Sequence, residues 1–279
     1  MRLELLRLWQ LFVSHRCSGG EKLIALFCDL DNTILYSHRK KIEAPKRVAE
    51  LLNGVEQSYI TERTFDYLSS CEAVSMIAVT TRTMSQFERV KTTLEELRCE
   101  YSLILNGAML LKNGVIDENW LKESKRIAAD SEAEMDKAAE LLQRYCESPL
   151  KYCDEYLAYA GASNPRKVAK QVSDVVNSNL VSTFFDSRKV YCAPVSMNKG
   201  AAIKRFLKRL PASCTIGVGD SKNDLSMLES VDIPILPESL ESSITNPKKI
   251  VVPHFQVLSD AACATIERLL QQQKQQTLM

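Results

Sequence analysis

The sequence predicts an α/β protein with a parallel, Rossmann-like sheet, helices on both faces of that sheet and an inserted α+β cap domain. At both ends of the chain, short apolar segments alternate with helical segments, which is the pattern of a parallel sheet with crossover helices. Between these ends, the segments pair as hairpins around helices. We therefore expect an extension over residues 1–22, a core domain over 23–108 and 194–279, and a cap over 109–193.

The composition is that of an ordinary globular protein. The chain has 279 residues, of which 45% are hydrophobic, and its 36 basic side chains nearly balance its 35 acidic ones. This length supports a sizeable core, and the charge balance argues against nucleic acid or an anionic membrane as a partner. No apolar run is long enough to span a bilayer. We expect a monomer or a weak dimer.

The cysteines and the N-terminal segment indicate a cytoplasmic protein. Nine cysteines are scattered along the chain without a Cys-x-x-Cys pair, which favours a reducing compartment over secretion. In the first 20 residues the longest apolar stretch is Leu11-Phe12-Val13, which is short for a signal peptide. We expect an amphipathic extension there, or a start codon assigned too early.

The first part of the core is predicted to alternate strands and helices. The run from Leu23 to Cys28 is apolar and too short for a helix, which indicates a buried strand. Residues 45–54 place Val48, Leu51 and Leu52 on one helical face, which predicts a helix. The other elements expected here are a helix over 61–70, a strand over 73–79, a helix over 84–98 and a strand over 101–105.

The cap and the second part of the core follow from turn residues and periodicity. Asn113-Gly114 predicts a tight hairpin over 108–115, because these residues accept the positive φ angles of a type I′ turn. The remaining cap elements are a helical region over 120–146, a strand over 152–160, a helix over 166–176 and a hairpin of strands over 181–185 and 189–193. Beyond Pro194 we expect helices over 198–207 and 259–270 and another beginning at residue 225, with strands over 214–218, 232–236 and 249–252.

Two carboxylates follow the first strand directly. Asp29 and Asp31 are two residues apart at a strand end, so their side chains point to the same side. Like charges this close require a cation or a shared proton, and Mg²⁺ prefers oxygen ligands. Alone, such a pair is also compatible with a solvated loop that caps a helix.

Three further polar positions fall just after a strand or at the start of a helix. They are Thr80, Lys199 and the Asp220/Asp224 pair. In an open parallel sheet, functional sites lie at the carboxyl ends of the strands, so these groups can meet Asp29 and Asp31. Together they supply what a phosphoryl group requires, namely a nucleophile, metal ligands and donors. Taken singly, Thr80 could be a helix N-cap, Lys199 a surface lysine and Asp220 a turn residue.

The ordered motifs resemble those of the haloacid dehalogenase-like phosphohydrolases. The matching residues are Asp-Leu-Asp-Asn-Thr at 29–33, Thr80, Lys199 and Gly-Asp-Ser-Lys-Asn-Asp at 219–224. The position of the cap between Thr80 and Lys199 resembles the Cof-type branch, whose cap position is shared by sucrose-phosphate phosphatase and the phosphomannomutases. Asn32 and Thr81 depart from the pattern, since glycine is frequent at both positions.

The resemblance implies a role for each of these residues. Asp29 would attack phosphorus and form an aspartyl-phosphate, and Asp31 would act as the acid and base and ligate Mg²⁺ through its backbone carbonyl. Lys199 would neutralise charge. The implied phosphate- or substrate-binding residues are Thr80, Thr81, Arg82 and Asn223, and the implied metal-site residues are Asp29, Asp31, Asp220 and Asp224.

The implied function is a Mg²⁺-dependent phosphatase acting on a small phosphorylated metabolite, with a sugar phosphate or sugar acid phosphate as the substrate. A phosphomutase using the same residues and a non-catalytic binding or regulatory protein are the alternatives. We expect cap side chains to set specificity, although aromatic residues in strands are also common core residues. The candidates are Tyr152, Tyr156, Tyr159, Phe184, Phe185, Arg188 and Tyr191.

Overall fold

The computed structural model describes residues 24–153, 156–186 and 188–277, so the extension predicted over 1–22 lies outside the described residues. In chain order the strands are β1 (Ile24–Cys28), β2 (Tyr36–Ser37), β3 (Lys46–Leu52), β4 (Val55–Thr61), β5 (Val74–Val79), β6 (Tyr101–Ile104), β7 (Met109–Lys112), β8 (Val115–Ile116), β9 (Lys151–Cys153), β10 (Leu157–Gly161), β11 (Val181–Asp186), β12 (Lys189–Pro194), β13 (Cys214–Val218), β14 (Ile233–Pro237) and β15 (Ile250–Val252). The α-helices are α1 (Glu62–Ser70), α2 (Met84–Phe87), α3 (Lys91–Glu96), α4 (Glu118–Ala128), α5 (Glu132–Tyr145), α6 (Pro165–Ser173), α7 (Lys199–Arg209), α8 (Leu225–Leu228) and α9 (Leu258–Thr277).

The central sheet confirms the predicted α/β core. Its eight strands have the order β15-β14-β13-β1-β5-β6-β7-β8, and the pairs from β15 through β6 are all parallel. All five residues of β1 are buried, because both faces of the sheet are covered. Ile24 and Leu26 face one cluster of buried side chains, which includes residues of α9, while Ala25 and Phe27 face another, which includes residues of α7.

A small antiparallel sheet replaces the helix predicted over residues 45–54, so that prediction is wrong. Strands β3 and β4 form a hairpin, and β2 pairs with the other edge of β4. The turn is Asn53-Gly54, with φ angles of 53° and 76°, which is the same Asn-Gly signal that predicts the hairpin at Asn113-Gly114. The apolar side chains assigned to a helical face, including Leu51, are exposed.

Three longer predicted elements are divided in the structure. The helix expected over 84–98 is two short helices, α2 and α3, and the region expected over 120–146 is α4 and α5. The strand expected over 152–160 is two antiparallel strands, β9 and β10. Apolar periodicity continues across the two helical breaks, which explains why the sequence pattern did not place them, whereas the sequence between β9 and β10 contains the polar pair Asp154-Glu155.

The cap sheet has the order β11-β12-β10-β9 and is antiparallel throughout. One face packs against α5 and α6. The other carries an aromatic ladder, in which Tyr191 lies between Tyr159 and Phe184 with ring centroids 5.4 and 5.3 Å apart. Within the described part of the chain, no helix combines the length and apolar content needed to cross a membrane.

The first elements assigned to the cap lie against the core. Strands β7 and β8 extend the central sheet, and Trp120 of α4 is fully buried in the cluster that includes Phe206 of α7. The Trp120 indole donates to the carbonyl of Gly107 (3.0 Å), and the Arg205 guanidinium carbon lies 3.4 Å from the indole ring centroid. We therefore propose that the boundary between core and cap lies after α4 rather than at residue 108.

Candidate active site

The carboxyl edge of the central sheet gathers the predicted catalytic groups. Asp29 follows β1, and its backbone N–H donates to the carbonyl of Val218 at the end of β13 (3.0 Å). This bond places the start of the loop that carries Asp220 beside Asp29. Thr80 follows β5, the neighbour of β1 on the other side. The order of the strands therefore brings three distant parts of the sequence to one place.

Lys199 joins two carboxylates at the centre of the site. Its Nζ lies 2.5 Å from Oδ1 of Asp29 and 2.6 Å from Oδ1 of Asp224, and only 1% of the residue is exposed. The lysine occupies the first position of α7, next to Gly200, where a Cβ would lie 2.1 Å from the carbonyl oxygen of Ser226. This close approach explains the glycine and holds the start of α7 against the loop that contains Asp224.

Asp224 organises the loop after β13. Its Oδ2 accepts hydrogen bonds from the backbone N–H groups of Asp220 (3.1 Å) and Ser221 (3.0 Å) and from the Ser221 hydroxyl (3.0 Å). Its other oxygen accepts from Lys199 (2.6 Å). Asp224 is completely buried, and these four donors compensate for its burial.

Burial and charge shift the pKa values of the central pair. Burial raises the pKa of Asp29, and the neighbouring carboxylates of Asp224, Asp220 and Asp31 raise it further, while Lys199 opposes them. Burial alone would lower the pKa of Lys199, but the charges of Asp224 and Asp29 outweigh it and raise that pKa. The lysine is therefore a permanent cation at neutral pH.

Three carboxylates form a candidate divalent-cation site. Oxygens of Asp29, Asp220 and Asp224 lie within 4.8 Å of one another. The Thr33 hydroxyl is 3.2 Å from an Asp29 oxygen and 3.3 Å from an Asp220 oxygen. Lys199 balances only one of the three negative charges, and all the donors are hard oxygens, so the cluster fits Mg²⁺. The Asp31 carboxylate is not part of this cluster.

Instead, Asp31 is held by Arg82. The guanidinium donates to both carboxylate oxygens, at 2.9 and 2.7 Å, to Oε2 of Glu50 (2.8 Å) and to the carbonyl of Gln86 (3.1 Å). Burial would raise the pKa of Asp31, but the hydrogen bonds and charge of Arg82 outweigh it and lower that pKa. Bidentate pairing of this kind also fixes the orientation of the carboxylate.

Glu50 is a site residue that the sequence analysis missed. It lies on β3, is buried, and accepts from Arg82 and from the Ser58 hydroxyl (3.1 Å), while Nε of Arg89 is 3.2 Å from its other oxygen. The helix predicted over 45–54 concealed it. The signal that could have found it is Asn53-Gly54, because a hairpin there places β3 and β4 side by side.

The remaining predicted binding residues divide between two clefts. Thr81 and Arg82 line a cleft of about 580 Å³ together with Asp31, whereas Asn223 lines a separate cleft of about 610 Å³. Thr80 is buried, and its hydroxyl accepts from the Arg82 N–H (3.2 Å). That bond shapes the turn after β5 and leaves the hydroxyl proton available to a ligand.

The cap residues predicted to set specificity lie in different places in the structure. Tyr159, Arg188 and Tyr191 line the cleft that contains Asp31, and Phe184 lines the second cleft. Tyr156 is fully buried, and the Tyr152 hydroxyl donates to Asp136 (2.9 Å). Phe185 is an exposed residue of β11 that lines neither cleft.

Three solved structures with a similar fold are described as phosphatases. The fold resembles that of a subclass IIB sugar phosphatase of the haloacid dehalogenase superfamily, with a TM-score of 0.60 and 12% identity over 88% of this chain and 98% of the other. It also resembles a haloalkanoate-superfamily phosphatase from Bacteroides thetaiotaomicron, with a TM-score of 0.56 and 13% identity over 90% and 97%. For the sucrose-phosphatase of Synechocystis sp. PCC6803, the TM-score is 0.54, with 14% identity over 84% and 92%. At these identities the likeness shows the fold alone.

A comparison with protein-family models identifies the family of this chain. No curated protein matches the chain, but residues 71–244 match the model of the haloacid dehalogenase-like hydrolases, which is more than half of the sequence. The matched range includes Thr80, Lys199 and Asp220, while Asp29 and Asp31 precede it. This chain belongs to the haloacid dehalogenase-like hydrolases, the family that its ordered motifs predict.

Proposed function

We propose that this protein is a Mg²⁺-dependent phosphatase that hydrolyses a small phosphate monoester, a sugar phosphate or sugar acid phosphate, through an aspartyl-phosphate on Asp29. The observation that carries the proposal is the buried contact of Lys199 with Asp29 and Asp224, beside Asp220, at the carboxyl edge of the sheet. A lysine and three carboxylates in this arrangement suit phosphoryl transfer. The fold that the chain shares with a sugar phosphatase and a sucrose-phosphatase supports the same substrate class.

The first half-reaction uses Asp29 as the nucleophile. Its carboxylate oxygen attacks phosphorus, the bond from phosphorus to the ester oxygen breaks, and the departing alcohol takes a proton from Asp31. Lys199, 2.5 Å from Asp29, neutralises charge on the attacking carboxylate and the phosphoryl oxygens. Thr80 and the backbone N–H of Thr81 donate to those oxygens.

The second half-reaction uses Asp31 as a base. It takes a proton from water, which attacks phosphorus, and the bond to Asp29 breaks to release inorganic phosphate. Because Arg82 lowers the pKa of Asp31, the ionised form that accepts this proton is favoured, whereas the first half-reaction draws on the smaller protonated fraction of Asp31. Arg82 is committed to Asp31, Glu50 and Gln86, so we assign it to positioning Asp31 rather than to the substrate.

The residues that would hold Mg²⁺ are Asp29, Asp220 and the backbone carbonyl of Asp31. Bound there, the ion supplies positive charge that offsets the phosphoryl oxygens and the carboxylates. Since Asp224 accepts four hydrogen bonds, from Lys199 and from the loop that carries Asp220, we assign it to positioning these two residues.

The test is phosphate release from a panel of phosphate esters, with and without Mg²⁺, by the wild-type protein and Asp29→Asn. We expect metal-dependent release that the substitution abolishes. Asp66→Asn, an exposed aspartate on α1, is the matched control and should retain the activity. Release that persists in Asp29→Asn would contradict the proposed nucleophile, and an isomeric sugar phosphate formed without free phosphate would indicate a mutase.

A further inference from the structure

We propose that the cleft beside Asp31 contains a second anion-binding subsite, formed by Arg39, Arg188 and Lys189, and that the substrate is a phosphate ester with a second anionic group. This inference rests on the proposed phosphatase function and narrows its substrate class. The second group is a carboxylate or another phosphate, since both offer the oxygens that these side chains bind.

The cleft is built from three parts of the fold. The core contributes Asp31, Thr81 and Arg82, the loop after β2 contributes Arg39, and the cap contributes the side chains of Tyr159, Arg188, Lys189 and Tyr191. Its volume of about 580 Å³ lies in the range of pockets that enclose small metabolites. A ligand in this cleft therefore contacts the catalytic edge and the cap at the same time.

Two of the cations that line the cleft are already neutralised. Arg82 pairs with Asp31 (2.7 Å) and Glu50 (2.8 Å), and Arg89 lies 3.2 Å from Glu50. These two carboxylates are the acidic residues of the lining. Among the described side chains that line the cleft, no further carboxylate balances the other cations.

The other three cations have no such partner among the side chains that the structure describes. Within that set, no carboxylate forms an ion pair with Arg39, Arg188 or Lys189. The Lys189 ammonium lies 5.2 Å from the ring centroid of Tyr159, which holds it on the cleft-facing side of the cap sheet. Its charge also contributes to lowering the pKa of Asp31, so the cap cation is within electrostatic reach of the reaction centre.

The positions of these charges determine what they can bind. In the proposed mechanism the transferred phosphoryl group is held at Asp29, Thr80 and Lys199, none of which lines this cleft, so the cap cations are left for another part of the substrate. An ester of a neutral alcohol would offer the three cations only hydroxyl and water oxygens, whereas a second anion on the same molecule would form charge-assisted hydrogen bonds with them. The ring faces of Tyr159 and Tyr191, 5.4 Å apart, are available to the carbon skeleton between the two anions.

The test compares 6-phosphate esters that differ at C1. Glucose 6-phosphate, 6-phosphogluconate and glucose 1,6-bisphosphate present a neutral end, a carboxylate and a second phosphate. We expect kcat/KM to be at least about tenfold higher for 6-phosphogluconate or for glucose 1,6-bisphosphate than for glucose 6-phosphate, through a lower KM. Which of the two is preferred distinguishes the carboxylate from the phosphate.

Substitutions test whether the preference for a second anionic group depends on the cap cations. Arg188→Gln combined with Lys189→Gln should reduce the ratio of kcat/KM values at least about tenfold, whereas Lys167→Gln, an exposed lysine on α6, should leave the ratio unchanged. Equal kcat/KM values for all three esters in the wild type would overturn the subsite and leave the phosphatase proposal intact, and so would a preference that survives the double substitution.

A binding measurement separates the two proposals if no ester is turned over. Calorimetric titration of the wild-type protein with inert analogues of the same three sugars, in which every phosphate is replaced by a phosphonate, gives dissociation constants without catalysis. Tighter binding of a doubly anionic analogue, lost in the double variant, would support the subsite even if hydrolysis failed. Equal dissociation constants would overturn it.

Discussion

Replacing Glu50 by glutamine removes the charge that Arg82 and Arg89 share while keeping the shape of the side chain. The side chains of Glu50 and Arg82 are 5% and 7% exposed, so neither can turn to water, whereas Arg89 is 26% exposed. A hydrogen bond to a charged group contributes about 1.5–3 kcal/mol. Because the amide keeps one acceptor oxygen and Arg89 can regain water, we expect the free energy of unfolding to fall by about 2 kcal/mol.

Two assays follow from this magnitude. Thermal unfolding should show Tm lowered by about 4–8 °C, the shift typical of such a loss in a domain of this size. Steady-state phosphate release should show kcat reduced roughly tenfold, since Arg82 would hold the Asp31 carboxylate less firmly in place. Substrate KM should change less, because Glu50 does not contact the phosphoryl group.

Glu43→Gln provides the control. Glu43 is 89% exposed, and its ion pair with Lys41 is long, at 4.0 Å. Its loss should therefore change the unfolding free energy by less than about 0.5 kcal/mol. If Glu50→Gln unfolds like the control and retains full kcat, Glu50 neither stabilises the fold nor positions Asp31 through Arg82. A loss of stability with unchanged kcat would leave only the structural role.

Three further predictions concern other parts of the molecule. Gly200→Ala should lower stability by roughly 1–3 kcal/mol in chemical denaturation, because its Cβ would lie 2.1 Å from the Ser226 carbonyl; an unchanged midpoint would contradict this. Mg²⁺ should raise the Tm of the wild-type protein, and it should raise the Tm of Asp220→Asn by less. Equal shifts in Tm would exclude Asp220 as a Mg²⁺ ligand. Burial raises the pKa values of Cys192 and Cys263 to about 12, so mass spectrometry should find both unlabelled by iodoacetamide at pH 8 until denaturant is added.

The sequence predicted the catalytic edge because the local patterns and the topology agree there. Five consecutive apolar residues before Asp29 identify a strand buried on both faces, and the later motifs follow β5 and β13, the strands on either side of β1. The direct contact of Lys199 with Asp224 (2.6 Å) depends on the packing of α7 against the loop after β13, which sequence spacing does not specify.

The small sheet could not be predicted from the same reasoning. Val48, Leu51 and Leu52 have the spacing of an amphipathic helix, yet these side chains are exposed, so their spacing does not reflect a buried face. The turn at Asn53-Gly54 decides the local structure instead. With the hairpin misassigned, the connection from Glu50 through Arg82 to Asp31 had no basis in the sequence pattern.

Trp120 limits which part of the cap can move. Its indole is fixed to the Gly107 carbonyl (3.0 Å) and lies under Arg205, and Arg205 also donates to Ser124 on the next turn of α4 (2.8 Å). Since Arg205 belongs to α7, the helix that begins with Lys199, we expect α4 to stay with the core when the cap opens. The moving unit would then extend from about Ser131 to about Pro194, and the segment on which it turns would be attached to the helix that begins with Lys199.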